Sequence, residues 1–185
     1  MSIADHYGPD KTGLSFELFP PKTPLGVERL FEQTDKLVQY APDYITCTYG
    51  AGGSTRESTL EIVSRVLNKY QLPVATHLTC VGNTADQIRE YLARSLELGV
   101  RNVVALRGDP SLGEAHFKSV EGGLSHANEL VALVRGEFPD MGIAVAGYPE
   151  THQESACVED DLKNLRRKVD AGADLVITQL FYKYL

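Results

Sequence analysis

Side chains that could do chemistry recur at one kind of place in this sequence, at or just past the end of an apolar run. Glu17, Thr48 with Tyr49, His77, Arg107 with Asp109, Tyr148 with Glu150 and His152, and Gln179 are all placed this way. Each has an ordinary structural use when taken singly. Glu17 can pair with a helix lysine, His77 can sit satisfied in a core, and Tyr148 can simply pack. If the apolar runs are parallel strands, however, carboxylates, hydroxyls, an imidazole, a guanidinium and an amide all converge at one mouth. There they would set an acid near Glu17 and a cation–anion pair at Arg107 and Asp109. That convergence points to an enzyme site.

Several other chemistries lack their signatures. The glycine-rich stretch 50–53 with Ser54 follows a run and suggests an anion cradle, yet it matches neither GxGxxG nor GxxxxGK[ST]. No HxH, HxxxH or HExxH spacing joins His77 and His152 to a carboxylate as metal ligands, so no metal is expected. No GxSxG supplies an acyl-transfer nucleophile. Cys47, Cys80 and Cys157 form no CxxC pair, which reads as free thiols in a reducing cytoplasm. A net charge of −7 disfavours nucleic acid or an anionic membrane as partner. The polar N-terminus is no signal peptide, and no apolar run approaches the ~18 residues of a span.

The elements that must position these residues begin with the stretch 102–110. Its apolar run 103–106 does not alternate, as expected of a strand buried on both faces, and it stops at Arg107-Gly108-Asp109-Pro110. Gly108 would let the backbone come close to a ligand. Similar runs predict strands over 14–19, 44–49, 74–79, 143–148 and 174–179. Between them, 3.6-residue periodicity predicts helices over 24–41, from Ser54 or Thr55 to Tyr70, over 84–98, from about 124 to 134, and over 158–170. In the last of these Val158, Leu162, Leu165 and Val169 form the apolar stripe, and Gly99 and Gly172 close two helices.

Strict strand–helix alternation means a parallel sheet with right-handed crossovers. A (β/α)₈ TIM barrel is favoured over a doubly wound sheet, because polar residues follow every strand rather than one switch point. Six of the eight strands are present, so the α/β barrel is expected to be incomplete: a leader over 1–13 and a partial barrel over 14–185, lacking the last two units.

In that same frame the chain resembles the methylenetetrahydrofolate reductases. The segments that carry the resemblance are SFELFPPKT (15–23), TCTYGAGGSTRE (46–57), THLTC (76–80), NVVALRGDP (102–110), VAGYPETH (145–152), DLKNLRRKVDAGAD (161–174) and ITQLFY (177–182). The resemblance implies a flavoprotein oxidoreductase of one-carbon metabolism that serves methionine synthesis. Non-covalent FAD would accept hydride from NADH or NADPH and pass it to 5,10-methylenetetrahydrofolate. It casts Glu17 as the acid that protonates the folate, which asks for a raised pKa under a dry flavin. Asp109 becomes the carboxylate beside flavin and pterin, favouring a cationic iminium. Gln179 becomes the amide that holds pterin and nicotinamide, with Thr48 also at the substrate.

For FAD the resemblance implicates Thr48, Tyr49, Ala51, His77, Arg107, Gly108, Asp109, Ala127, Tyr148 and His152, and on the fifth helix Asp161, Asn164, Arg167 and Lys168. Residues 161, 164 and 168 share one helical face, with cations suited to a diphosphate. A homo-oligomer is a further implication of the family. An open barrel would expose two sheet edges, so this chain alone is expected to be FAD-poor and weakly active. Two other readings stand beside the reductase: a barrel fragment that binds flavin or a partner chain without turnover, and a flavin barrel acting on another substrate.

Overall fold

A computed structural model describes residues 2–49, 56–110, 113–114 and 116–182. Six strands alternate with five helices along the chain: β1 (Ser15–Leu18), α1 (Pro24–Leu37), β2 (Tyr44–Cys47), α2 (Arg56–Tyr70), β3 (Val74–Thr79), α3 (Ala85–Glu97), β4 (Asn102–Leu106), α4 (Ala127–Glu137), β5 (Gly142–Gly147), α5 (Val158–Asp170) and β6 (Leu175–Thr178). All neighbouring strands pair in parallel, in the spatial order β1-β2-β3-β4-β5-β6. A doubly wound sheet would reverse that order at its switch point. The unreversed order is that of a barrel wall, here curled and open between β6 and β1.

Local chemistry accounts for where the elements begin and stop. Thr23 caps α1, its hydroxyl accepting from the Gly26 amide, with Pro24 preset for the first turn. Thr84 and Gln87 form a capping box at the start of α3. Gly99 and Gly172 stand just past α3 and α5 at φ +83° and +115°. Helix α1 ends at Leu37, short of the expected 41; a 3-10 turn, Val38–Tyr40, tightens its end and Ala41 turns left-handed at φ +52° before Pro42. The expected cap of α2, Ser54 or Thr55, lies outside the described residues.

Alternation along the strands sorts the core into two parts. Outward side chains such as Ile45, Cys47, Val74, Leu78, Val103, Ile143 and Val145 pack against the helices. Inward ones, Tyr44, Ala75, Val104 and Ala144, meet inside the curl. The polar leader completes this second cluster. Its turn, Ile3–His6, crosses the N-terminal ends of the strands and buries Ile3 completely among those inward side chains. The Ile3 amide donates to Asn102 Oδ1 at 3.0 Å, and Asn102 Nδ2 donates to the Val74 carbonyl at 3.2 Å. Gly142 is required there, because any Cβ would collide with Asn102 Oδ1 and Ser2 Oγ.

Helix α5 departs from its expected stripe. Leu165 packs inward, but Val158, Leu162 and Val169 are 55%, 58% and 45% exposed. Asp161 is buried in their place and Lys168 is half-buried. The apolar stripe faces sideways, flanking the outward face of β6, where Val176 is also exposed. An amphipathic helix in a barrel wall packs on two partners, the sheet and the next helix, and among the described residues α5 has its second side uncovered.

If the leader is the floor of the curl, Ile3→Ala should destabilise the fold by about 2 kcal/mol or more. Urea unfolding should show a lowered midpoint with an unchanged slope.

Candidate active site

The C-terminal ends of the strands form the mouth, and the expected residues fall into three groups around it. The first lies on the inner face of β1 to β3. Glu17 Oε2 stands 3.3 Å from His77 Nε2, with His77 only 8% exposed and the Glu17 side chain 48% exposed. The approach is oblique, so Nε2 is buried without an aligned hydrogen bond. Thr79 Oγ1, two residues further along β3, is also buried without a partner. Glu17 is held below the ordinary carboxylate range, chiefly by His77 at hydrogen-bonding distance; partial burial pushes it upward, and the charge of His77 and the Thr46 hydroxyl pull it down. The raised value expected of an acid is therefore absent in this open mouth, where water still reaches the carboxylate.

The second group is the rim after β4 and β5. Arg107 does not fork onto Asp109. Its two terminal nitrogens reach Glu154 at 2.5 and 2.8 Å, and its guanidinium lies 5.0 Å from the centre of the Phe117 ring. Asp109 is exposed and acts on Arg107 through charge alone, adding to the larger effect of Glu154 in holding the guanidinium protonated. Tyr148 stacks edge-on against His152 at 4.6 Å, and burial pushes its hydroxyl pKa up. A groove of about 520 Å³ opens here, lined by Arg107, His116, Phe117, Lys118, His126 and Glu154 among others. Ala127 begins α4 directly behind it, after His126. A larger groove of about 730 Å³ lies outside, between α2 and α3, remote from the mouth; of its charged lining, Lys69 pairs with Asp35 and Arg94 with Glu97.

The third group is the inner face of α5. Lys168 Nζ donates to the Ala146 carbonyl at 2.5 Å and lies 5.8 Å from the Tyr148 ring; burial lowers its pKa, against the charge of Asp161. Asp161 accepts from Ser155 Oγ at 3.2 Å. Asn164 does not join them: it is exposed and accepts from Arg167 at 2.9 Å.

Three expected residues stand apart. Tyr49 points outward, packed edge-on against Tyr91, with its hydroxyl accepting from Arg56 Nε at 3.1 Å. Gln179 is exposed beyond β6, its backbone N–H donating to the Gly147 carbonyl at 2.8 Å. Ala51 and the glycine-rich loop around it lie outside the described residues. Thr48, half-buried with its amide on the Leu18 carbonyl, remains at the inner mouth. Glu154, Phe117 and Thr79 are the residues that sequence reasoning missed. The first two sit in irregular loops with no periodicity to mark them, whereas Thr79 continues the inward alternation of Ala75 and His77.

With this geometry in view, comparison with known proteins is decisive. The family model described as methylenetetrahydrofolate reductase matches residues 2–184. The chain belongs to that family. It is 46% identical to "Methylenetetrahydrofolate reductase (NADH) 1" of Zea mays, over 97% of this chain and 32% of that protein. It is 38% identical to "5,10-methylenetetrahydrofolate reductase" of Escherichia coli strain K12, over 98% of this chain and 58% of that protein. The chain thus spans between a third and somewhat over half of these relatives' lengths. Among solved structures, a phosphoenolpyruvate phosphomutase from Streptomyces platensis subsp. rosaceus matches with TM-score 0.59 at 14% identity, over 91% of this chain and 60% of that one. A dihydropteroate synthase from Coxiella burnetii matches with TM-score 0.51 at 10% identity, over 96% of this chain and 64% of that one. At such low identity these two speak for the fold alone.

Gly108 joins the mouth to the core. Its φ is +89°, and a Cβ there would stand 2.7 Å from Val81 Cγ1 and 3.1 Å from Thr79 Cβ. The glycine is needed for this turn and packing, whatever approaches it from the mouth. Gly108→Ala should cost on the order of 1–3 kcal/mol, read as a lowered thermal midpoint.

Proposed function

We propose that this chain carries the flavin and acid part of a reductase that converts 5,10-methylenetetrahydrofolate to 5-methyltetrahydrofolate with a reduced nicotinamide as donor. The observation that carries the reading is the inward carboxylate–imidazole pair, Glu17 and His77, at the mouth of a chain of this family. FAD, when bound, supplies the hydride relay between donor and folate. The residues present fit such a group. Thr79 Oγ1 is buried on the inner face of β3 without a hydrogen-bond partner among the described residues, and the polar edge of a flavin ring would satisfy it. Lys168 uses one of its three donors on Ala146 and has others to offer a diphosphate. Arg107 meets an anion only in exchange with Glu154 or beside it.

Glu17 is the group proposed to protonate the folate. At neutral pH it is ionised in the open mouth, held so by His77. Burial already pushes in the opposite direction, and covering by two ring systems would exclude the remaining water and strengthen that push. Asp109, exposed and negative at the rim, would favour positive charge developing on the substrate. The plant relatives named with NADH support NADH as donor. The uncovered apolar sides of α5 and β6 favour one second reading, flavin binding without turnover.

FAD titrated into the purified chain should bind weakly, as the open wall leaves the site part-built, and anaerobic NADH should bleach the flavin that is bound. Glu17→Gln should leave bleaching unchanged while lowering folate reduction by about 10²-fold or more. Bleaching without any folate turnover in the wild-type chain would favour the second reading, and absence of flavin binding would remove the first.

A further inference from the structure

Glu17 projects from an edge strand of the described sheet. β1 pairs only with β2, and its residues at 15–18 are mostly half-buried or exposed. A half-exposed glutamate on an edge strand has three rotatable side-chain bonds and nothing in its own strand to hold it. Support comes instead from β3, which is buried along its whole length and paired on both sides. His77 reaches across the intervening β2 to place Nε2 at 3.3 Å from Glu17 Oε2. Thr46, on β2 directly opposite Glu17 in register, adds a hydroxyl beneath the same carboxylate. Among the described residues these are the polar groups that act on Glu17. Cys47, on the outer side of β2, feels its charge, and its thiol is pushed up to about 12 by burial first and by Glu17 second.

We propose that His77 is the positioning residue for Glu17: it ties an acid on an edge strand to the buried centre of the sheet. The role as acid rests on the reductase reading, whereas the tie itself does not. His77 acts through Glu17 and is distinct from a side chain that only packs. Its imidazole is nine-tenths buried, so its direction is fixed, and among the described residues the polar group paired with Nε2 is the Glu17 carboxylate.

The test needs neither flavin nor folate. Carbon-13 carboxyl resonances of glutamate-labelled protein are followed against pH, with Glu17→Gln assigning the Glu17 signal. His77→Asn should raise the Glu17 midpoint by on the order of one unit, because the imidazole's hydrogen-bonding approach and charge both disappear. A folded His77→Asn protein with an unmoved Glu17 midpoint would overturn the tie and leave a packing histidine. If His77→Asn does not fold, Glu17→Gln is measured instead: the nitrogen-15 resonance of His77 Nε2 should move, and an unmoved resonance overturns the proposal equally. Failure of flavin binding would sink the reductase reading without touching either resonance, so the two can fail separately.

Discussion

In a parallel strand with both faces covered, successive side chains must go to opposite sides, and everything else in this molecule follows from which residue takes which side. On β2 and β3 the outward positions are apolar or small, and they hold the helices against the wall. The inward positions change character along the strand, from Ala75 to His77 to Thr79 on β3 and from Tyr44 to Thr46 on β2. A one-residue slip would send the imidazole into the helix layer and leave Leu78 or Cys47 facing the mouth. The buried apolar layer therefore fixes the polar site: the price of slipping is paid in lost core contacts, and the register of the chemistry is protected by groups that take no part in it.

The curl also needs a floor. Small inward residues, Ala75, Ala144 and Gly142, leave room at the N-terminal end of the strands, and Ile3 fills it. Asn102 is the joint, accepting from the Ile3 amide and donating to Val74, so a buried polar side chain satisfies a backbone group that the turn would otherwise leave unpaired. Unsatisfied polarity occurs at both heights: His6 Nε2 is buried without a partner in the floor, and His77 Nε2 and Thr79 Oγ1 are buried without an aligned partner on the inner face of β3, where a ligand in the mouth would reach them.

How much of this could be read from the sequence varied with how local the cause was. Strand positions and helix caps depend on neighbours in the chain, and the runs at 74–79 and 143–148 or the Thr84–Gln87 box announced them. The family was legible for the same reason, since its segments are contiguous. Helix α5 was misread because periodicity reports an apolar face without saying what covers it; Val158, Leu162 and Val169 face sideways while Asp161 and Lys168 turn inward. The leader's place as the floor was not legible, because one buried isoleucine in a polar stretch carries no period. Glu154 could not have been paired with Arg107 from spacing alone, as the two are 47 residues apart and meet only because β4 and β5 are neighbours. Tyr49 shows a subtler limit. The family resemblance puts Tyr49 beside Thr48 at the flavin, whereas its ring here packs in the helix layer, because adjacent strand-end residues point to opposite faces.

The low pKa of Glu17 brings fold and chemistry together. Two opposed influences act on the carboxyl: the imidazole of His77 stabilises its charge, and partial burial penalises it. In the open mouth the first is larger. Only the second depends on what covers the site, because the distance to His77 is set by β3 whereas water at Glu17 is set by the occupant. On the proposed reading, a mouth filled by flat aromatic ligands would therefore move Glu17 toward its protonated form, and opening would return it to the ionised form. On this argument the edge-strand position of Glu17 is useful: a carboxylate buried as deeply as His77 would have its protonation fixed by the protein, and one without His77 would have it fixed by the solvent. Held at half exposure by a rigid partner, it answers to the ligand.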